Sequence, residues 1–95
     1  VNPYDELDAA GRHKRLRVGG HDEYELYLRS QAWRRLRCRL IVARGGACEG
    51  CGRAYLVVLE LHHRTYATLG CERDGDLLVL CRSCHELAER ARTAA

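Results

Sequence analysis

The chain has 95 residues and a net charge of +3, with no Phe, no Met and a single Trp. One domain is the natural reading of that length, and so small an apolar core is marginal without a further staple. No run approaches the ~18 apolar residues of a membrane span. No basic start followed by an apolar run marks a secretory leader, so a cytoplasmic protein with no membrane partner is expected, its six cysteines reduced and suited to metal rather than to disulfides.

The charge is unevenly spread. Basic residues cluster in GRHKRLR, Gly11–Arg17, and in WRRLRCR, Trp33–Arg39. Such clusters fit contact with a polyanion, most simply nucleic acid, or else a solvated basic surface.

Residues 1–20 read as a polar, flexible N-terminal tail, because Gly11, Gly19 and Gly20 interrupt a weak apolar periodicity. A short helix over Tyr4–Ala10 can form there, with Asn2 as cap and Pro3 at its first position. The main domain is expected over residues 21–95. Asp22 can cap a short helix through Tyr24, Leu26, Tyr27 and Leu28. Ser30 can cap the next helix, where Trp33, Leu36, Leu40 and Ile41 make an apolar stripe. Arg34, Arg35, Arg37, Arg39 and Arg44 occupy much of its remaining surface, and Gly45 and Gly46 end it. Cys38, beside the stripe, reads as a buried small residue, and Cys71 as a loop thiol.

A tight turn, Ala47–Gly52, carries Cys48 and Cys51. The run AYLVVLELHH then alternates as a strand, with Val57, Leu59 and Leu61 on one face and Leu56, Val58 and Glu60 on the other. Residues 64–75 form a loop, Asp76–Leu80 a second strand, and a last helix begins at or just after Cys81 and runs towards Arg92. Cys48, Cys51, Cys81 and Cys84 form two Cys-x-x-Cys pairs. Four thiolates close a tetrahedral shell around Zn²⁺ and leave no open position, so this zinc would be structural. The intervening residues 52–80 exceed the ~15–20 of paired knuckles, which fits a hairpin looping out between them.

Zinc bound there would hold the strand carrying His62 and His63 beside the helix carrying His85. His62 and His85 could then meet around a divalent ion with open positions. Neighbours on a strand point to opposite faces, so His62 can ligate metal while His63 faces substrate. A neutral imidazole with a pKa near ~6.5 is a usable general base.

The stretches LELHHRTYATLG and DGDLLVLCRSCH, with YLRSQAWRRLRCRLIVARGGACEGCG upstream, resemble the HNH endonuclease family in its small zinc-containing form. The resemblance covers about Tyr27 to Glu89. It implies an α+β chain, a small zinc-stabilised ββα-metal fold with an N-terminal arginine-rich helix. It implies that His62 and His85 hold a catalytic divalent metal, Mg²⁺ or Mn²⁺ with Ni²⁺, Co²⁺ or Zn²⁺ as substitutes, and that His63 activates water. Asp76 stands where the family usually has Asn. An ionised Asp accepts but cannot donate, though it can anchor loop amides, hold the N–H of His63 or lean on the metal. Glu89 falls where some relatives carry another His, as a ligand or as a solvated glutamate. Arg64 reads as a phosphate contact or a solvent-facing side chain.

The function implied is metal-assisted hydrolysis of DNA phosphodiester bonds, with the arginine helix and basic tail gripping the backbone and little sequence specificity. The alternatives are a non-catalytic zinc-binding nucleic-acid module and a zinc-stapled protein-interaction domain. The chain would act alone, as a homodimer or within a larger nuclease complex.

Overall fold

The computed structural model describes residues 1–54 and 57–94. Among them are four α-helices and one antiparallel pair of strands: α1 (Ala9–Val18), α2 (His21–Leu28), α3 (Gln31–Ala43), β1 (Leu59–His63), β2 (Leu77–Cys81) and α4 (Arg82–Ala94). Short 3-10 turns cover Pro3–Glu6 and Asp74–Asp76.

The polar tail expected over residues 1–20 is instead folded. Asn2 caps the first turn and Pro3 opens it, but extended Leu7 breaks the expected Tyr4–Ala10 helix, and Asp8 caps α1 afresh by accepting from the Gly11 amide. One aromatic residue and several hydrogen bonds do the docking. Tyr4 is wholly buried, its ring meets that of Tyr27 edge to face with centroids 5.6 Å apart, and its hydroxyl donates to Glu23 at 2.6 Å. The Asn2 amide donates to the Leu26 carbonyl, and Asp5 accepts from the Gln31 amide at the start of α3. Local periodicity is silent about such attachments, because each partner lies 19 or more residues away. On its other side α1 rests on the loop after β1. Gly70 there has φ +88°, and a Cβ on it would come within 2.8 Å of the His13 amide nitrogen. Only glycine fits both the left-handed backbone and the close approach.

Helix α2 starts at His21, with Gly20 at the cap and Asp22 in the first turn, so Asp22 complements the helix dipole instead of capping it. Ser30 caps α3 as its sequence suggests, accepting from the Trp33 amide while donating to the Tyr27 carbonyl. The apolar stripe of α3 faces inward, with Trp33 and Leu40 buried and Leu36 and Ile41 partly so. Its arginine side is not a uniformly free surface. Arg37 donates to the Leu59 carbonyl, Arg39 pairs with Asp74, and Arg44 binds Glu49 and the Leu77 and Asp74 carbonyls. Arg34 and Arg35 remain exposed.

Strand β1 is shorter than the sequence suggests: it begins at Leu59, and Tyr55 and Leu56 lie outside the described residues. Its register with β2 pairs Leu59 with Cys81, Leu61 with Val79 and His63 with Leu77. Paired residues share a face of the sheet, so these six form one face. Glu60, His62, Leu78 and Leu80 form the other, against which α4 packs. No helix among the described residues is long and apolar enough to cross a membrane.

Candidate functional site

Two clusters of metal-ligand chemistry lie on the hairpin and α4. The first is sulfur. Cys48 and Cys51 sit on the turn after α3, Cys81 ends β2, and Cys84 lies in the first turn of α4. The turn is anchored to β2: the Glu49 amide donates to the Val79 carbonyl, and the Glu49 carboxylate accepts from the Val79 amide. All four sulfurs lie within 4.8 Å of one another, and Cys51 Sγ is 3.8 Å from Cys81 Sγ. Four sulfurs at ~2.3 Å from a tetrahedral ion are about 3.8 Å apart, whereas a disulfide needs ~2.05 Å. All six cysteines are free. A Cβ on Gly50 would reach to 3.0 Å from Cys84 Sγ, so the turn needs glycine to admit the second pair of thiols. Burial opposes ionisation of Cys48, but amide hydrogen bonds at Cys81, Cys51 and Gly50 outweigh it and bring the thiol down to about 6. The Cys48 and Cys81 sulfurs push Cys84 up to about 12, so negative charge gathers first on Cys48. These four residues can hold a metal ion such as zinc.

The second cluster is imidazole and carboxylate. His62, His85 and Glu89 offer ligand atoms within 4.8 Å of one another. Strand β1 supplies His62; His85 and Glu89 stand one turn apart on α4. Glu89 Oε1 is 3.1 Å from His62 Nδ1 and 3.7 Å from His85 Nε2, and the two rings meet edge to face with centroids 5.3 Å apart. Although so near, Glu89 makes no hydrogen bond to His62 Nδ1, which is buried and unpartnered. A buried ring nitrogen with no well-aligned hydrogen bond, beside a carboxylate oxygen, can take a metal ion as its partner. Glu60 binds His85 Nδ1 at 2.8 Å, which leaves Nε2 as the lone-pair nitrogen facing the cluster. Sequence reasoning missed Glu60, although it lies two residues before His62 on the same strand face.

Arg92 also enters this cluster. It follows Glu89 by three residues, and its Nη2 lies 3.2 Å from His62 Nε2. Burial, and then the Arg92 charge, push His62 below the usual imidazole value, with Glu89 offsetting only part. Sequence reasoning did not single out Arg92, although it stands seven residues after His85 and so shares that face of α4.

His63 does not face outward as expected. Its ring is 3% exposed and lies stacked against Trp33 (5.0 Å between centroids) and Tyr66 (5.2 Å). Its Nε2 is 2.8 Å from Glu72, whose other oxygen accepts from the Tyr27 hydroxyl. Burial would raise the Glu72 carboxyl, but the bonds from His63 and Tyr27 prevail and hold it below the usual range. The signal for this placement was in the strand: Leu59 and Leu61 face the core, and continuing the alternation puts His63 with them. Glu72 had no comparable signal, being one acid among several in a charged loop.

Asp76 performs one of the tasks expected of it and not the others. Its carboxylate accepts from the Thr68 hydroxyl (2.7 Å) and the Arg73 amide (3.0 Å), and its carbonyl accepts from the Arg64 amide. The Thr68 bond, then the Arg73 amide, draw its carboxyl below the ordinary value. It therefore anchors the loop; Glu72 holds the His63 ring, and Asp76 stands outside both clusters. Arg64 is exposed and donates to the Gly75 carbonyl of the same loop. Cys38 is exposed, not buried, because it stands beside the apolar stripe of α3 and not within it, and Cys71 is half-buried.

Comparison with family models, with curated proteins and with solved structures finds no match to this chain.

Proposed function

We propose that this chain is a metal-dependent endonuclease of the HNH type, hydrolysing DNA phosphodiester bonds with little sequence preference. The observation that carries the reading is the convergence of His62 from β1 with His85 and Glu89 from α4, on a strand–strand–helix unit whose strand–helix junction meets the turn after α3 in four clustered cysteines. Zinc on Cys48, Cys51, Cys81 and Cys84 would be structural, since a closed sulfur shell leaves no place for substrate.

His62, His85 and Glu89 would hold the catalytic cation, Mg²⁺ or Mn²⁺. When bound, that cation supplies polarisation of a phosphate oxygen and charge stabilisation at the leaving 3′-oxygen. Glu60 sets the His85 tautomer. His63 takes the proton from the attacking water: its Nε2 is committed to Glu72, so Nδ1 is its basic nitrogen. Because that ring is 3% exposed, the step requires its cover, chiefly the half-exposed Tyr66, to move when substrate binds. Exposed Lys14, Arg17, Arg34 and Arg35 would contact the DNA backbone, which gives salt-sensitive binding without base readout.

The same burial of His63 favours a second reading, a non-catalytic zinc-binding nucleic-acid module in which His63 is a core residue. One experiment separates the two. Supercoiled plasmid is incubated with zinc-loaded protein and Mg²⁺, Mn²⁺ or Ni²⁺. The endonuclease reading expects nicking or linearisation that falls at least ~100-fold in a folded His63→Ala variant, the scale of a lost general base. Full activity in that variant removes His63 from the chemistry. Salt-sensitive DNA binding with no cleavage under any metal selects the second reading.

A further inference from the structure

We propose that Arg92 is the anion-receiving group of the imidazole site: its guanidinium and a cation on His62, His85 and Glu89 share one oxyanion, the phosphate of the strand being cut. The inference rests on the metal-site reading above and adds to it a residue and a charge requirement.

Helix register supplies the placement. His85, Glu89 and Arg92 stand at i, i+4 and i+7, so all three project from one face of α4 towards His62. The guanidinium carbon lies 4.8 Å from the centre of the Tyr66 ring, and Tyr66 in turn packs on His63. A cation resting on an aromatic face is fixed in position without using its N–H groups. One end of the fork, Nη2, is 3.2 Å from His62 Nε2. The other, Nη1, is buried with no hydrogen-bond partner among the described residues, and its nearest carboxylate oxygen, on Glu89, is 3.8 Å away. A buried guanidinium N–H without an acceptor marks a place where an acceptor belongs.

Charge makes the same demand. The ligand set holds one formal negative charge, on Glu89, and Arg92 already offsets it. Glu60, behind His85, is shared with Arg82 at 3.7 Å. A divalent cation would therefore face a guanidinium that cannot deprotonate, at a separation where like charges repel strongly. Two arrangements relieve this: Arg92 leaves, or an anion lies between them. Its place on α4, seven residues after His85, keeps Arg92 at the cluster whatever Tyr66 does, which favours the anion. A phosphodiester suits both neighbours, since it has two unesterified oxygens, one to accept from the guanidinium and one for the metal.

The test is thermodynamic and needs no cleavage. Mn²⁺ binding to the full chain is measured by calorimetry, with zinc already in place, with and without saturating dimethyl phosphate, a minimal phosphodiester. In the natural chain the phosphodiester should tighten Mn²⁺ binding roughly tenfold, within the ordinary range of coupling between sites. In Arg92→Ala the coupling should vanish, while Mn²⁺ alone binds at least as tightly as before, because a repelling charge has gone. Arg92→Lys should recover part of the coupling by restoring a point charge. Weaker Mn²⁺ binding in Arg92→Ala with coupling intact would mark Arg92 as a structural brace and overturn the assignment. Mn²⁺ uptake indifferent to dimethyl phosphate in the natural chain overturns it alone. No Mn²⁺ uptake at this site in any of the three proteins overturns it together with the metal site beneath.

Discussion

The sulfur cluster and the imidazole cluster are built on the same hairpin and the same helix, yet they differ in what surrounds them. The sulfur cluster is made of four cysteines alone, and backbone amides favour ionisation of Cys48. The imidazole cluster has three donors, a carboxylate behind one ring and a guanidinium against the other. A closed, uniform donor set binds an ion for structure; a short, mixed set leaves positions and charge unfilled, which is what exchange with a substrate requires. The difference also fixes a dependence. Cys81 and Cys84 bracket the β2–α4 junction, so the sulfur cluster sets the angle at which His85 and Glu89 meet His62. The reverse does not hold, because among the described residues no hydrogen bond or ion pair joins His62, His85 or Glu89 to the turn at Cys48.

The largest effect should therefore come from the sulfur side. Cys48→Ser removes a ligand whose set, in small zinc-binding peptides, is worth about 10–16 kcal/mol of apparent folding free energy. That is as large as the ~5–15 kcal/mol total of an ordinary domain. The expected result is loss of the thermal unfolding transition together with loss of bound zinc, by calorimetry and elemental analysis. A variant that keeps its transition and its zinc would make the two clusters equal partners and end the asymmetry.

A smaller but still large effect belongs to the far side of β1. Glu72 and His63 have side chains only 1% and 2% exposed, and Tyr27 shares the same carboxylate. Glu72→Ala leaves an imidazole and a hydroxyl buried without their acceptor, at a cost of ~3 kcal/mol. The cost should depend on pH. The Glu72 carboxyl is depressed in the folded chain, so its contribution is fully present above the unfolded glutamate value of ~4.3 and is lost as pH falls through the folded value. Denaturant titrations from pH 7 to pH 3 should show the natural chain and Glu72→Ala converging at the acid end. A gap that stays constant would mean that packing, not the charged bond, holds His63.

The same asymmetry explains how much of the molecule could be read in advance. Features set by neighbours in sequence were legible: the Ser30 cap, the apolar stripe of α3, the order of strands and helix, and the spacing of the four cysteines. The meeting of His62 and His85 followed once the cysteines were assumed to close. Features set by a partner elsewhere in the chain were not. Tyr4 looks like tail until its hydroxyl finds Glu23, Glu72 looks like loop until His63 turns inward, and Arg92 looks solvated until α4 is laid on the sheet. In each case a polar group is placed by a partner on another element, which composition and periodicity do not encode.

Cys38 supplies the smallest effect and a control for the first. Adjoining the stripe of α3 suggests burial, but at ~100° per residue Cys38 stands roughly 140° round the helix from Trp33 and roughly 160° from Leu40. The structure leaves it exposed and outside the sulfur cluster. A surface thiol with no packing role contributes little, so Cys38→Ser should change stability by less than ~0.5 kcal/mol and leave zinc content untouched. If Cys38→Ser instead lost zinc, the ligand set would include a fifth cysteine, and the division between a structural and an exchangeable cluster would have to be redrawn around α3. With its effect near zero, the collapse expected of Cys48→Ser becomes a property of where a sulfur lies and not of cysteine as such.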